Sequence, residues 1–409
     1  MSERPLQVVV GEMLRAQELT LGLVESSTGG LVGHRITEVP GSSDYFTGSL
    51  VPYARSVQEQ IVGVGHATLE QYGVVSAQTA REMARGARRL FQVDVGVSVT
   101  GIAGPAGRKR SKKPVGLTYI GLAAADLETC ERHVFGGNRS ENKSQSAEAA
   151  LYLLKRYLQR RIELPQLHGI VDSVDPRSAP ELAVVRPAEG GVSQFPIRKR
   201  LGVLSSAFNP LTTAHVCMAE LAMQQHRLDE VMFELSKVNV DKRVYGAALS
   251  ERLWMLTRFT EGRPRFSVAM CSHARFIDKA KAILESYPQD TELFFIVGYD
   301  TLVRVFDPKY YGNLEAELGE LFDQSQFIAA NRGEHSLADV EEFLRQPACL
   351  PFANKIHLIE LDPSHAGLSS TQVRERVEQG SSIAGLVPDE IVGLIPLTAI
   401  AQASRRRDL

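Results

Sequence analysis

Short apolar runs alternate with amphipathic stretches along most of the chain. The apolar runs have the length of strands and cover residues 21–24, 93–100, 115–124, 201–204, 230–235 and 293–297. Between them lie stretches with apolar residues at helical intervals, at residues 30–37, 77–90, 146–158 and 216–227. Strands that alternate with helices in this way are typical of α/β layers. We therefore predict an α/β protein with parallel strands.

The pattern is lost between residues 163 and 197. Prolines and glycines recur there, at Pro165, Pro176, Pro180, Pro187, Gly190 and Gly191. This composition is typical of linkers, and a chain of 409 residues is too long for one ordinary core. We predict a first domain at residues 1–162, a linker at 163–197, a second domain at 198–400 and a basic tail at 401–409.

Composition narrows the class of protein. Hydrophobic residues make up 44% of the chain, charged residues 23%, and the net charge is −2, which gives no long-range attraction to nucleic acid. No apolar run approaches the roughly 18 residues of a membrane span, and the N-terminus lacks the pattern of a secretory signal. We expect a cytoplasmic homo-oligomer with neither nucleic-acid nor membrane partners.

The cysteines are widely scattered. None of them belongs to a Cys-x-x-Cys pair, and none has histidines at zinc spacing beside it in the sequence: Cys130, Cys217, Cys271 and Cys349. The spacing therefore predicts neither a metal site nor a disulfide framework.

Residues 205–215 read Ser-Ser-Ala-Phe-Asn-Pro-Leu-Thr-Thr-Ala-His and follow an apolar run. Pro210 suits a turn, and Thr212 or Thr213 can cap the helix that comes next. The free N–H groups and the positive dipole end of that helix attract anions. With two hydroxyls and the imidazole of His215 at the same corner, the segment predicts a nucleotide phosphate site.

A second segment, residues 367–374, reads Gly-Leu-Ser-Ser-Thr-Gln-Val-Arg. Ser369 and Gln372 have the spacing of a capping box. Together the two segments resemble the Phe-Asn-Pro-x-Thr-x-x-His and Ile-Ser-Ser-Thr-x-x-Arg signatures of the nucleotidyltransferase superfamily. They are most similar to those of the nicotinamide and nicotinate mononucleotide (NMN and NaMN) adenylyltransferases. Leu368 replaces the isoleucine, and Ser206 stands where the family usually has glycine.

This resemblance implies a Rossmann-like domain that transfers AMP from ATP to NMN or NaMN and releases pyrophosphate, with Mg²⁺ on the triphosphate. It also implies that His215, assisted by Thr212, stabilises the transition state. Contacts to ATP are implied for Ser206, Ala207, Phe208, Asn209, Gly298, Asp300, Ser369, Ser370, Thr371 and Arg374. Contacts to the mononucleotide are implied for Lys242, Trp254 and Arg332, although a lone tryptophan is more often part of a core.

Residues 25–30, Glu-Ser-Ser-Thr-Gly-Gly, place hydroxyls at a strand-to-helix corner, with glycines that let a ligand approach the backbone. Alone, the segment equally fits a capped helix start. Further short motifs follow in order, at residues 40–43, 48–53, 73–76, 100–105 and 113–116. Together they resemble the C-terminal domain of the CinA family, whose members include NMN deamidases. The resemblance implies an α/β/α layered fold for the first domain.

The resemblance implies that Ser26 attacks the nicotinamide carboxamide. It also implies that Tyr53 and a lysine activate the serine. In this chain Gln58 occupies the lysine position and Arg55 that of an asparagine, and a glutamine cannot accept the proton. Lys112 or Lys113 could substitute, from a basic loop at residues 106–113 that is either solvated or a clamp on a phosphate. Contacts to the mononucleotide are implied for Thr28, Gly29, Gly30, Arg55, Thr100 and Gly101.

The two resemblances predict a bifunctional enzyme of pyridine nucleotide salvage with small-molecule substrates, ATP and NMN or NaMN. Two alternatives stay open. The first domain can be a non-catalytic module for nucleotide binding or self-association, which Gln58 favours. The second domain can serve another phosphorylated acceptor, such as phosphopantetheine.

Overall fold

The computed structural model describes residues 4–104, 113–189, 199–238 and 246–403. The chain divides into two compact units, Met1–Ile162 (unit 1) and Glu163–Leu409 (unit 2). Each unit has its own sheet.

The sheet of unit 1 has five strands. They are β1 (Leu21–Glu25), β2 (Phe46–Leu50), β3 (Val95–Gly101), β4 (Leu117–Ala123) and β5 (Glu128–Val134). The order is β2-β1-β3-β4-β5, with β1 parallel to β2 and β3, and β4 antiparallel to β3 and β5. The helices are α1 (Leu6–Ala16), α2 (Leu31–Thr37), α3 (Arg55–Val57), α4 (His66–Gln71), α5 (Ala77–Phe91) and α6 (Arg139–Ser173). The division between the units falls within α6.

Helix α5 packs closely on this sheet because glycines line the contact. A Cβ on Gly96 would collide with the carbonyl oxygen of Ala84, and one on Gly121 with that of Ala80. The hydroxyl of Ser98 also donates to the Ala80 carbonyl at 2.6 Å. Short side chains on both layers therefore hold α5 against β3 and β4.

The sheet of unit 2 has seven strands. They are β6 (Leu182–Arg186), β7 (Arg200–Ser205), β8 (Glu230–Ser236), β9 (Phe266–Cys271), β10 (Glu292–Gly298), β11 (Ser325–Ala330) and β12 (Ile356–Ile359). The helices are α7 (Thr213–Gln225), α8 (Leu249–Thr260), α9 (Phe276–Ser286), α10 (Tyr299–Val305), α11 (Leu314–Gln324), α12 (Leu337–Leu344), α13 (Pro363–Ala366), α14 (Ser370–Glu378), α15 (Asp389–Val392) and α16 (Ala399–Ala403).

The strand order in unit 2 is β12-β11-β10-β7-β8-β9-β6. All neighbours are parallel except β6, which is antiparallel to β9. From β7 the chain adds β8 and β9 on one side and then returns to add β10 on the other. The order therefore reverses between β7 and β10, and the crevice at the carboxyl ends of such strands is where doubly wound sheets bind ligands.

The prediction of two α/β domains is confirmed, with a Rossmann-like arrangement in unit 2. The sequence pattern missed six strands. Four of them are edge strands whose residues are largely polar or half-buried, β2, β5, β6 and β12, and two are interior strands, β9 and β11. Among the described helices, none is both long and apolar enough to cross a membrane.

The region predicted as a linker, residues 163–197, contains regular structure. Its first part belongs to α6, which continues through Pro165, and its middle part forms β6. Glu163 accepts hydrogen bonds from Trp254 and Arg258, and His168 is paired with Ser250 at 3.0 Å. Contacts of α6 with α8 and the pairing of β6 with β9 therefore order the described parts of a segment that was predicted as a linker.

Candidate functional site

The crevice of unit 2 is bounded by the loop that follows β7. In this loop Phe208 has a left-handed backbone, with φ of 41°, and its buried ring packs edge-on against His215 and Phe233. Ala207 is exposed beside it. The loop therefore presents its polar atoms at the carboxyl end of β7, above an aromatic floor.

The imidazole of His215 has one fixed tautomer. Its Nδ1 lies 3.1 Å from the backbone nitrogen of Thr212 and 2.7 Å from the Thr212 hydroxyl. The backbone N–H can only donate, so Nδ1 is the acceptor and the proton of the neutral ring lies on Nε2. That N–H points to the hydroxyl of Ser206 at 3.1 Å.

Burial, with the nearby Arg332 guanidinium as a second cause, lowers the pKa of His215 to about 3. The ring is therefore neutral over the whole physiological range. It can serve as a hydrogen-bond donor to an anion, but it carries no positive charge of its own.

The two predicted segments meet at this loop. The hydroxyl of Ser370 donates to the carbonyl of Pro210 at 2.8 Å, and the guanidinium of Arg374 donates to the carbonyl of Asn209 at 2.7 Å. The second amino group of Arg374 donates to the hydroxyl of Thr371 at 3.0 Å. The start of α14 is thus fixed against the loop that precedes α7.

The predicted capping box of α14 is present. The Ser369 hydroxyl accepts from the backbone of Gln372 at 3.3 Å, and the Gln372 side chain accepts from the backbone of Ser369 at 2.9 Å. The cap orients the first turn of α14, where Ser370 and Thr371 lie, toward the crevice.

Arg332 lies at the other side of the crevice, after β11. A Cβ on Gly298 would meet the Arg332 side chain at 2.7 Å, so the glycine at the end of β10 makes room for this arginine. Its guanidinium donates to the carbonyl of Leu368 at 3.3 Å. Burial lowers the pKa of Arg332, and the exposed carboxylate of Asp300 opposes that shift.

Arg252, on α8, is a site residue that the sequence did not reveal. It is only 4% exposed, and its guanidinium donates to the carbonyls of Ala247 at 2.8 Å and Ala207 at 3.4 Å. Burial, followed by repulsion from Arg374, lowers its pKa to about 10. The sequence signal that could have revealed Arg252 is a charged residue next to an apolar helical run, Leu-Trp-Met-Leu.

Three arginines therefore surround the loop after β7: Arg252, Arg332 and Arg374. Their hydrogen bonds go to carbonyls, a hydroxyl and a thioether, and among the described residues no carboxylate lies within salt-bridge distance of any of them. Guanidinium groups gathered next to helix starts, with no ion-pair partner in the described part of the chain, favour a polyanionic ligand.

Three other residues of unit 2 were predicted to contact a ligand: Asn209, Trp254 and Lys242. The buried Asn209 accepts from the backbone of Ala247 at 3.1 Å, so its side chain braces the loop. Trp254 is fully buried, and its Nε1 donates to Glu163 at 2.9 Å, which places it in the core and not beside a ligand ring. Lys242 lies outside the described residues.

A cleft of about 510 Å³ opens next to Arg332, at the carboxyl ends of β11 and β12. Its lining includes Asn331, Gly333, His335, Leu361, Asp362 and Ala366. The size suits a nucleoside.

In unit 1 the corner after β1 is organised by Glu25. Its buried carboxylate accepts four hydrogen bonds, from the hydroxyls of Thr28 and Ser49 and from the backbone of Val32 and Gly33, at 2.8 to 2.9 Å. Gly29 and Gly30 both have positive φ. Glu25 therefore fixes the conformation of this loop. At Gly29 and Gly30 the backbone has a conformation that only glycine adopts readily.

Ser26 lies in this loop, and its backbone donates to Val99 of β3 at 2.8 Å. Within the described ranges its hydroxyl has no hydrogen-bond partner. Tyr53 is 72% exposed, and its hydroxyl accepts from Arg139 at 3.3 Å. Gln58 is only 1% exposed and donates to the carbonyl of Pro52 at 3.4 Å.

Four of the residues implied to contact the mononucleotide have structural partners instead. Thr28 donates to Glu25, and Thr100 donates to the carbonyl of Val74. Gly101 packs against the backbone of β4, and Arg55 pairs with Glu70. These contacts hold the unit together, and contact of these residues with a mononucleotide stays a prediction.

Lys143, on α6, was also missed from the sequence. Its ammonium lies 3.4 Å from the position that a Cβ on Gly29 would occupy, and Arg139 is one helical turn earlier on the same face. Of the alternatives considered from the sequence, Lys113 donates to the carbonyls of Tyr72 and Val75, and Lys112 lies outside the described residues. Lys143 therefore faces the serine loop, and Arg139 faces the hydroxyl of Tyr53.

Comparisons with known families agree with this division. Residues 3–158 match the CinA C-terminal domain, and residues 204–376 match the cytidylyltransferase-like family. A CinA-like protein from Salinibacter ruber is 46% identical over 153 residues, which are 37% of this chain and 37% of that protein. The chain thus spans less than half the length of the curated relatives it matches.

Solved structures also resemble each part. A competence/damage inducible protein from Agrobacterium tumefaciens is 33% identical, with a TM-score of 0.35, and covers 38% of this chain and 97% of its own. A nicotinic acid mononucleotide adenylyltransferase from Plasmodium falciparum, solved with NaAD, is 16% identical, with a TM-score of 0.39, and covers 48% and 94%.

Proposed function

From a chain that joins a CinA C-terminal domain to a cytidylyltransferase-like domain, we propose that unit 2 is an adenylyltransferase of pyridine nucleotide synthesis. It transfers AMP from ATP to NMN or NaMN and releases pyrophosphate. The observation that carries the proposal is the meeting of two helix starts, where Arg374 bonds the loop of Asn209 while His215 presents an N–H beside it.

The reaction needs position and charge neutralisation more than covalent help. A phosphate oxygen of the mononucleotide forms a bond to the α-phosphorus of ATP as the bond to the bridging oxygen breaks, and that electron pair leaves with pyrophosphate. The Nε2–H of His215 donates to a phosphate oxygen in place of Ser206. Donors fixed before the reaction stabilise charge that develops in the transition state.

The arginines hold the triphosphate. Arg374 and the hydroxyls of Ser370 and Thr371 bind it from the α14 side, and Arg332 binds from the β11 side. Arg252 supplies positive charge from below the loop. Mg²⁺ enters with ATP as part of the substrate, since guanidinium groups and hydroxyls are not the carboxylate cage of a dedicated magnesium site.

The test is product formation by the full-length protein. Purified enzyme is incubated with MgATP and, separately, with NaMN, NMN or phosphopantetheine, and pyrophosphate and the adenylylated product are quantified. A dinucleotide from either pyridine mononucleotide is the expected result. Product from phosphopantetheine alone would replace the proposed acceptor, and no product with any acceptor would remove the activity.

For unit 1 we propose hydrolysis of the carboxamide of NMN. Ser26 attacks the carbonyl carbon, ammonia leaves, and water then releases the nicotinate product from the serine ester. Two features support a mononucleotide here. The serine lies at the carboxyl end of β1, where the strand order of unit 1 reverses, and the ammonium of Lys143 lies at its loop.

A binding module without catalysis is the second candidate for unit 1. It is favoured by the burial of Gln58 and by the Ser26 hydroxyl, which has no partner in the described part of the chain to remove its proton. Ammonia release from NMN, compared between the wild type and Ser26→Ala, separates the two. A rate that the substitution abolishes supports hydrolysis, and a rate that is absent or unchanged leaves only the binding module.

A further inference from the structure

Three donor atoms of different chemistry converge in unit 2, outside the residues assigned above. They are the thiol of Cys217 on α7, a carboxylate oxygen of Asp362 at the start of α13, and a ring nitrogen of His365 on α13. All three atoms lie within 4.8 Å of one another. In the described ranges this is the one group of three such residues that could hold a metal ion.

The donor set suits a thiophilic divalent cation. Thiolate, imidazole and carboxylate are the ligands that zinc takes from proteins, with bonds of about 2.0 to 2.3 Å. A tetrahedral ion with such bonds brings its ligand atoms to roughly 3.3 to 3.8 Å from one another. Small side-chain rotations reach that spacing from the observed separations, because Cys217 and His365 are only half-buried.

Asp362 is held in place as the N-cap of α13. One of its oxygens accepts from the backbone of Ser364 at 2.9 Å and of His365 at 3.2 Å, and the other meets His365 Nδ1 at 2.6 Å. The preceding residue, Leu361, is fixed by two hydrogen bonds to the side chain of Asn331. Outer contacts of this kind orient metal ligands before the ion arrives.

We propose that Cys217, Asp362 and His365 form a binding site for a thiophilic divalent cation such as Zn²⁺. Three protein ligands leave a fourth position of a tetrahedral ion open to water or another ligand. The ion joins α13 to α7, the helix that carries His215 at its first turn. The sequence did not predict the site because Cys217 lies more than 140 residues before Asp362 and His365.

Cobalt binding to the metal-free full-length protein tests the proposal. We expect one Co²⁺ per chain, with the charge-transfer absorption of a thiolate bound to cobalt, displaced by Zn²⁺. Cys217→Ser abolishes that absorption, and His365→Asn weakens Co²⁺ binding at least roughly tenfold, as loss of one ligand implies. Cys130→Ser, in unit 1, leaves both unchanged.

The contrary results are specific. Absence of thiolate–cobalt absorption in the wild type, or its persistence in Cys217→Ser, would overturn the proposal. Circular dichroism checks the fold of each variant. If Cys217→Ser fails to fold, His365→Asn decides, and unchanged cobalt affinity in that variant would equally remove the site.

Discussion

The Nδ1 atom of His215 accepts a hydrogen bond from the backbone N–H of Thr212 at 3.1 Å. This contact fixes which ring nitrogen carries the proton, and burial keeps the ring neutral by lowering the pKa of His215 to about 3. The positive charge of the crevice comes from arginines. In the proposed reaction, the arginines would therefore bind the triphosphate and His215 would donate to the reacting phosphate.

Arg252 gives the first prediction. Arg252→Met removes a buried positive charge, a hydrogen bond to Ala207 in the loop after β7 and another to Ala247. We therefore expect the KM for ATP to rise at least about tenfold, the equivalent of 1.4 kcal/mol. Steady-state kinetics of pyrophosphate release measure it. Arg258→Met, on the same helix but paired with Glu163, is the matched control and should leave KM unchanged. An equal rise in KM in both variants would show that Arg252 only stabilises the fold.

The two motif segments of unit 2 show what the sequence could predict. Both end in helix starts with capping residues, so local chemistry alone placed Ser369 and Thr212 at N-termini. Arg252 could not be found in this way, because its contacts with Ala207 and Ala247 arise only when α8 packs under the loop. Trp254 was proposed near the mononucleotide only from the resemblance, and the structure buries it fully on the apolar face of α8.

Glu25 gives the second prediction. Glu25→Gln replaces a carboxylate oxygen with an amide nitrogen among four donors, which leaves one donor facing another. We expect unit 1 to lose about 1 to 3 kcal/mol of stability. Hydrogen exchange of the amides of β1 measures it, and the exposed Glu18→Gln is the control. Exchange rates equal to the wild type would show that the loop holds without the carboxylate.

Lys143 gives the third prediction. In the wild type, NMN should slow hydrogen exchange of residues 26–33, since the ammonium of Lys143 lies at Gly29 and binds the anionic ligand there. Lys143→Ala should lose most of this protection, whereas Lys155→Ala, further along α6, should keep it. The measurement applies whether unit 1 hydrolyses NMN or only binds it. Full protection in Lys143→Ala would place the ligand elsewhere.

His226 and His357 give the fourth prediction. Their rings lie 5.0 Å apart; burial lowers the pKa of each, and Arg200 and, for His226, its histidine neighbour add to the shift. The unfolded state then binds more protons below about pH 6.5, so the stability of unit 2 falls as pH falls.

Denaturant unfolding followed by fluorescence of the single tryptophan, which reports on unit 2, measures this dependence from pH 5 to pH 7.5. The double variant His226→Gln, His357→Gln should have a flatter pH dependence than the wild type. The exposed His34→Gln, in unit 1, should not change it. An unchanged slope in the double variant would show that these rings titrate alike in the folded and unfolded chain.

The most direct test of the account is the rate of pyrophosphate release from MgATP and NaMN or NMN, compared between the wild type and His215→Ala. The account predicts a wild-type rate that depends on the pyridine mononucleotide. It also predicts a loss on the order of 10²- to 10³-fold in kcat for the variant, with its circular dichroism spectrum unchanged. A folded His215→Ala protein that releases pyrophosphate at the wild-type rate would contradict it.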